Sequence, residues 1–456
     1  MIIQNYRSKM LRDYQLKTYQ SAQNEFAQGK RRVLVVAPCG SGKSYLFAEM
    51  TKSASKFGEV LILCHRIDLI QQHIELFKQL KIDTQNVRIE SVFTEVNHLG
   101  EHKKPRLIIL DEAHLSRANS WVKIIDYYDT FVIGFTATPC RLDGKPLGDI
   151  YDSLIDSVSV DWLIKNKMLA DFDYFAPMTI DTDKINSRAG DYVTVELEQL
   201  MCDRKIYGDI IKNYRKYADN KKTIIYCVNI KHANETAKLF RDNGYSAASI
   251  DSTLDKSYRA ETMQKFRNGE IKILCNCGII SEGISIDDCA VTMLLRPTQS
   301  LALYIQQSSR CLRYMPNKRA TIIDCVGNYA RHGLPNMQHE WNLSERIEPK
   351  RIYDDAGNYY IRICQNCFRP FKTARFCPNC GAEYITTEKE IKKANEIELE
   401  KITAAKLIEI EQQKKELRRE VGRCRTLSEL IRLGNERGYK NAYYWAEMIL
   451  KGRNKK

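Results

Sequence analysis

Val33-Leu34-Val35-Val36-Ala37-Pro38-Cys39-Gly40-Ser41-Gly42-Lys43-Ser44-Tyr45 is the stretch from which the rest of the chain can be read. Aliphatic residues run together at its start without alternation, which predicts a strand buried on both faces, as in parallel sheets. Two glycines then permit a tight turn, and Tyr45–Lys52 reads as helix. A glycine-rich turn from a strand into a helix N-terminus lets backbone N–H groups wrap phosphates. Gly40, Ser41 and Gly42 supply that turn, Lys43 can reach the β and γ oxygens, and Ser44 can ligate Mg²⁺. The usual pattern, G-x-x-x-x-G-K-[ST], opens on glycine where this chain has Ala37.

Similar apolar runs recur outward from this point: Val60–Cys64, Leu107–Leu110, Phe131–Phe135, Thr223–Cys227, Ile271–Cys275, Val291–Leu295 and Thr321–Asp324. Most are followed by a polar turn and then a helical pattern, so the expected class is α/β with parallel sheets. They fall into two sets, before about Gly134 and after about Lys221, which predicts two α/β domains joined near Cys140–Ala170. Asp111-Glu112-Ala113-His114 closes the run Leu107–Leu110. A strand-end carboxylate beside a phosphate loop is suited to a second Mg²⁺ contact (Asp111), and Glu112 can polarise an attacking water.

These motifs together resemble a superfamily-two helicase or translocase of the DEAH-box kind, of phage or prophage type, over roughly Leu11 to Pro335. The resemblance implies two RecA-like parallel-sheet domains in tandem, at 1–160 and 161–345, that hydrolyse ATP between them. Leu11-Arg12-Asp13-Tyr14-Gln15 resembles the adenine-sensing Q motif, implying that Gln15, with Arg12, reads the base. Ile62–Ile70 resembles motif Ia, which touches the nucleic-acid backbone, with His65 and Arg66 inside it. Thr136-Ala137-Thr138 resembles motif III, which, with His114, couples hydrolysis to strand movement. Asn276–Ile286 resembles motif V, with Glu282 and Gly283 in place and Ser285 where Asp is common. Gln306–Arg313 resembles motif VI, implying that Arg310 and Arg313 reach across the cleft as arginine fingers. Ser309 stands where the family usually has Gly. Asp324–Pro335 resembles a segment found after motif VI in phage relatives, for which a structural turn is the expected role.

Beyond Trp341 the character changes. Cys364-x-x-Cys367, then Cys377-x-x-Cys380 followed by Gly381, gives two knuckles whose four thiolates suit tetrahedral Zn²⁺. A zinc ribbon is expected at 351–385, too small to hold together on a core of its own. The aromatics and cations of Phe368–Phe376 could stack bases or merely pack the ribbon. Thr386–Glu420 is rich in Glu, Lys, Ile, Leu and Ala without Gly or Pro, which predicts a long charged helix over 386–424. A small helical hairpin is expected at 425–456, giving the chain a C-terminal helical tail.

The chain has 456 residues, with 71 Lys and Arg against 57 Asp and Glu, a formal charge of +14. Apolar residues at 43% and charged residues at 28% exclude a disordered or fibrous chain. No apolar run approaches the roughly 18 residues of a membrane span, so no membrane partner is expected. The N-terminus lacks a signal-peptide core, and a cytoplasmic setting in a bacterial or phage-infected cell is the expectation. The positive balance permits a nucleic-acid partner without requiring one. The expected function is an ATP-dependent helicase or translocase on forked, branched or duplex DNA, using ATP, Mg²⁺ and Zn²⁺ and working beside phage or host replication or recombination proteins. The alternatives are an RNA helicase, the motor subunit of a restriction or defence complex, or a nucleotide-binding scaffold without motor activity.

Overall fold

The protein is described from a computed structural model, which covers residues 10–139, 146–176, 210–278, 286 and 288–344, together with 187–188, 191–192, 361–363, 370–372, 400–402, 420–421, 423–424, 426–436 and 442–453.

The first unit runs α1 (Asp13–Ala27), β1 (Arg32–Val36), α2 (Lys43–Ala54), β2 (Val60–Cys64), α3 (Ile67–Gln79), β3 (Val87–Ser91), α4 (Val92–Asn97), β4 (Leu107–Asp111), α5 (Asn119–Tyr128), β5 (Phe131–Thr136) and β6 (Ser153–Asp156). Its sheet has the order β3-β2-β4-β5-β1-β6, and every pairing is parallel. Alternate strand residues feed two cores. Val35, Ile62, Ile109 and Ile133 face one side with Phe47 and Phe77, while Leu34, Leu61, Ile108 and Val132 face the other with Trp121 and Tyr128. Apolar residues at both parities are what a sheet covered by helices on both faces demands.

A short helix, α6 (Val160–Lys165), leads into the second unit. This comprises β7 (Phe172–Ala176), a small hairpin of β8 (Ser187–Arg188) and β9 (Asp191–Tyr192), α7 (Ile210–Ala218), β10 (Thr223–Tyr226), α8 (Ile230–Asp242), β11 (Ala247–Ile250), α9 (Lys256–Asn268), β12 (Ile273–Asn276), β13 (Val291–Leu294), α10 (Leu301–Ser308), β14 (Ala320–Asp324) and α11 (Tyr329–His332). The large sheet has the order β11-β12-β10-β13-β14-β7-β17, where β17 is Glu400–Ile402, and is parallel throughout except at β17. Two tandem parallel-sheet α/β domains are therefore present, as expected.

Among the parallel strands of the two large sheets, β3, β6, β7 and β11 had no clear sequence signal. Their residues are partly exposed or mixed in polarity, as in Val87-Arg88-Ile89-Glu90-Ser91 at the sheet edge. The apolar-run criterion finds central strands and misses the rest.

The C-terminal appendage departs from expectation at one place. β15 (Ile361–Ile363) and β16 (Pro370–Lys372) pair antiparallel and bracket Cys364 and Cys367 in sequence. β17 (Glu400–Ile402), inside the expected long helix, is instead a strand that adds antiparallel to β7. The open edge of β7 offers backbone partners, and that pairing overrides the helix propensity of a Glu/Lys-rich stretch. The other residues of the expected helix up to residue 419, and the four cysteine positions, lie outside the described residues. α12 (Leu427–Glu436) and α13 (Ala442–Arg453) form a helix pair around buried Leu430 and Trp445. Among the described residues no helix is long and apolar enough to cross a membrane.

Candidate nucleotide site

The site lies where the carboxyl end of the first sheet meets the linker and motif VI. β1 delivers the chain into the loop. Ala37 continues the strand by donating its N–H to Thr136 O (2.9 Å), so alanine suffices where glycine is usual. Gly40 (φ 83°) and Gly42 (φ 81°) take the left-handed turns, a region open to glycine at little cost. Crowding adds to this: a Cβ on Gly42 would sit 2.5 Å from Gln15 Nε2, and one on Gly40 2.8 Å from Leu169 Cδ2. Gly42 caps α2, whose first residues are Lys43 and Ser44. Lys43 Nζ donates to Ala37 O at 3.3 Å, and the buried Ser41 hydroxyl has no hydrogen-bond partner among the described residues. An unused buried hydroxyl in a loop of N–H donors suits a phosphate.

The Q-motif residues brace this loop from behind. Gln15 Nε2 donates to Ser41 O (3.0 Å) and Gly42 O (3.2 Å), and Tyr14 OH to Ser41 O (2.6 Å). Gln15 Oε1 accepts from Arg12 N (2.9 Å), and Arg12 reaches Met168 in the linker. Tyr14 packs on Trp162 of α6, with ring centroids 5.3 Å apart. Trp162, Met168 and Leu169 were invisible as site residues, because nothing in the sequence of a linker says what it lies against.

β4 ends on Asp111, and the chain reverses at Glu112, whose φ of 52° is uncommon for a residue with a side chain. Both carboxylates are almost fully buried. Asp111 Oδ1 accepts from Glu112 N (3.0 Å), and Oδ2 faces His73 Nε2 (3.0 Å). Burial by itself would raise the Glu112 carboxyl. His114, then Lys43 and Arg310, outweigh it and hold the group down to about 2. Glu112 therefore stays ionised, a hydrogen-bond acceptor rather than a strong base. His114 Nδ1 lies 3.4 Å from Glu112 Oε2 and 3.3 Å from Thr136 Oγ1, which itself bonds Thr138 N and O. The DEAH turn and motif III are thus one hydrogen-bonded unit.

Motif VI reaches this unit from the second sheet. Ser300 caps α10 by accepting from Leu303 N, and Arg310 follows in a 3₁₀ turn, close enough that its charge acts on Glu112. Ser309 has φ −79° and ψ −5°, a conformation open to any residue, so its exchange for glycine is harmless to the backbone. Arg313 is pinned through the linker. Ala170 N donates to Leu312 O (2.9 Å), Leu169 pairs with Arg313, and the Arg313 side chain lies beside Gly40.

Hard carboxylate and hydroxyl oxygens at Asp111 and Ser44 are the donors that Mg²⁺ prefers. His65 is half-buried at the end of β2, and Arg66 spans the cleft, with Nη2 donating to Gly278 O (3.1 Å). Glu282 and Gly283 lie outside the described residues. His73, like the linker residues, belongs to no motif. Its signal is positional: with Leu69 and Phe77 it falls on the buried stripe of α3, one polar residue among apolar ones.

Residues 8–141 match the family described as type III restriction enzyme, res subunit, and residues 205–315 match the helicase conserved C-terminal domain. A "51.5 kDa protein" of a Lactococcus phage (isolate 7-9) is 38% identical over 378 residues, 82% of this chain and 83% of that protein. IRC3 of Saccharomyces cerevisiae, named as an ATP-dependent helicase, is 31% identical over 359 residues, 71% of this chain but 52% of that protein. The chain thus spans about half the length of the yeast relative. The solved structure of the ATP-dependent Type ISP restriction-modification enzyme LlaBIII bound to DNA shares the fold, with a TM-score of 0.51 at 16% identity over 69% of this chain and 28% of that one. The chain belongs to the superfamily-two helicases, ATP-hydrolysing enzymes acting on nucleic acid, and is related to restriction-enzyme motor subunits and IRC3-like helicases.

Proposed function

We propose that the protein is a phage-type, DEAH-box motor that moves along or remodels DNA. The observation that carries this reading is the convergence on Glu112 of groups from both sheets: Lys43 and His114 from the first, Arg310 from the second. A catalytic carboxylate whose surroundings are completed only by the second domain makes hydrolysis depend on cleft closure, which is what a motor requires. Bound Mg²⁺ supplies positive charge to the phosphates. This chain's residues would do the rest: Ser44 and Asp111 hold the ion, and Lys43 and the loop N–H groups hold the phosphates. Glu112 orients the water, and Arg310 and Arg313 meet the charge that develops. Gln15 and Arg12 would recognise adenine. Arg66, His65, Thr136 and Thr138 would relay closure to the strand.

Zinc on Cys364, Cys367, Cys377 and Cys380 belongs to the same proposal. The ribbon spacing supports it, as does the β15–β16 pairing that brackets the first cysteine pair. Four thiolates leave no open position, so the ion would be structural. A cytoplasmic setting follows the same phage-type reading.

The test is ATPase rate measured side by side on single-stranded, duplex and forked DNA and on RNA. Stimulation by DNA is expected. Stimulation by RNA alone would replace DNA as the substrate, and a rate indifferent to every nucleic acid would leave a scaffold.

A further inference from the structure

His73 lies in the middle of α3, wholly inside the first domain and 3% exposed. Its ring is held on one side by Phe47 of α2 (centroids 5.2 Å apart), and Phe47 in turn packs on Phe135 of β5 (4.5 Å). Its Nε2 faces Asp111 Oδ2 at 3.0 Å. An ionised carboxylate only accepts hydrogen bonds, so the N–H belongs on Nε2. The other carboxylate oxygen is held by Glu112 N, so the plane of the Asp111 carboxylate is defined at two points. Cys64 is the third donor of this buried group, the only one of its kind among the described residues. Burial, then the charge of Asp111, pushes its thiol well above the ordinary range, so it offers no thiolate.

We propose that His73 is a positioning residue that holds the Asp111 carboxylate in the orientation from which it ligates Mg²⁺. The inference rests on the reading of Asp111 as a Mg²⁺ ligand. Carboxylate ligands lose affinity when a partner that orients them is removed, typically by about 10–100-fold.

The test is binding of a fluorescent ATP analogue, mant-ATP, to the full chain over a range of Mg²⁺ concentrations and in EDTA. Three proteins are compared: wild type, His73→Phe and His73→Gln. Phe keeps a ring against Phe47 and removes the N–H, whereas Gln restores an N–H donor at similar reach. The Mg²⁺ concentration giving half-maximal binding should rise about tenfold in H73F and return to within about threefold of wild type in H73Q. Binding in EDTA should be the same in all three. An unchanged Mg²⁺ requirement in H73F, an H73Q protein as impaired as H73F, or an equal loss in EDTA would each overturn the proposal. The readout needs neither hydrolysis nor nucleic acid. A protein that DNA fails to stimulate would therefore sink the proposed function and leave this inference standing.

Discussion

β4 of the first sheet and β14 of the second each end on a buried carboxylate: Asp111, followed at once by Glu112, and Asp324. Their surroundings differ. Around Glu112 stand His114, Lys43 and Arg310, which hold it ionised against burial. Around Asp324 no cation is drawn in from the described residues. Burial raises its carboxyl to about 6, opposed by hydrogen bonds from Tyr329 N (3.0 Å), Tyr174 OH (2.8 Å), Val326 N (3.2 Å) and Asn328 N. Tyr304 of α10 continues this network, its hydroxyl lying 2.7 Å from Gly333 O and 3.1 Å from Tyr174 OH, and its ring stacks on His332. One strand end is built to keep charge in a cleft. The other spends its carboxylate on fastening α10, and with it Arg310, to the sheet. Burial alone does not distinguish a reactive carboxylate from a structural one; the charge of the neighbours does.

The comparison breaks most directly at turnover. Arg310→Ala should leave ATP binding intact and slow turnover about 1000-fold, and Glu112→Gln should slow it about 100-fold. Asp324→Asn should keep turnover within about threefold of wild type if its role is structural. Steady-state ATPase and mant-ATP binding on the three variants decide this. Equal losses in E112Q and D324N would erase the distinction drawn here.

Stability against pH sharpens it next, because the two groups have opposite signs. Glu112 is depressed, so its contribution is present above its ordinary range near 4.5 and disappears as pH falls toward 2. Asp324 is raised, so its contribution is complete below about 4 and is lost as pH rises through 6, worth roughly 3 kcal/mol. His232 and His332, lowered by burial to about 4 and about 3, oppose Asp324 in the same domain: their contribution is present above 6.5 and lost on acidification. The difference in melting temperature between wild type and D324N isolates the carboxyl. Wild type should lose ground to D324N between pH 4 and pH 6, and a flat difference would mean that Asp324 titrates as it does in water.

The smallest effect concerns the appendage rather than either strand end. From Thr386 onward the chain holds 18 basic and 12 acidic residues, a share of the +14 that follows both domains in sequence. Removing it should flatten the salt dependence of DNA binding by the slope of the few phosphates it neutralises. An unchanged slope would assign those charges to solubility.

Much of this architecture was legible in advance because the signals are local. A strand buried on both faces must be apolar throughout, and a phosphate turn needs glycine where φ is positive. Val33–Ser44, Asp111–His114 and Gln306–Arg313 therefore announce themselves to a reader of the sequence. What a residue lies against is not local. That Leu169 covers Gly40, that Arg66 crosses to Gly278, that Glu400–Ile402 pairs with β7 and that His73 meets Asp111 depend on contacts between segments tens to hundreds of residues apart. The fates of the carboxylates were undecidable for the same reason. Glu112 follows an apolar strand and Asp324 ends one, and only the tertiary structure brings His114, Lys43 and Arg310 to the first and neutral donors to the second.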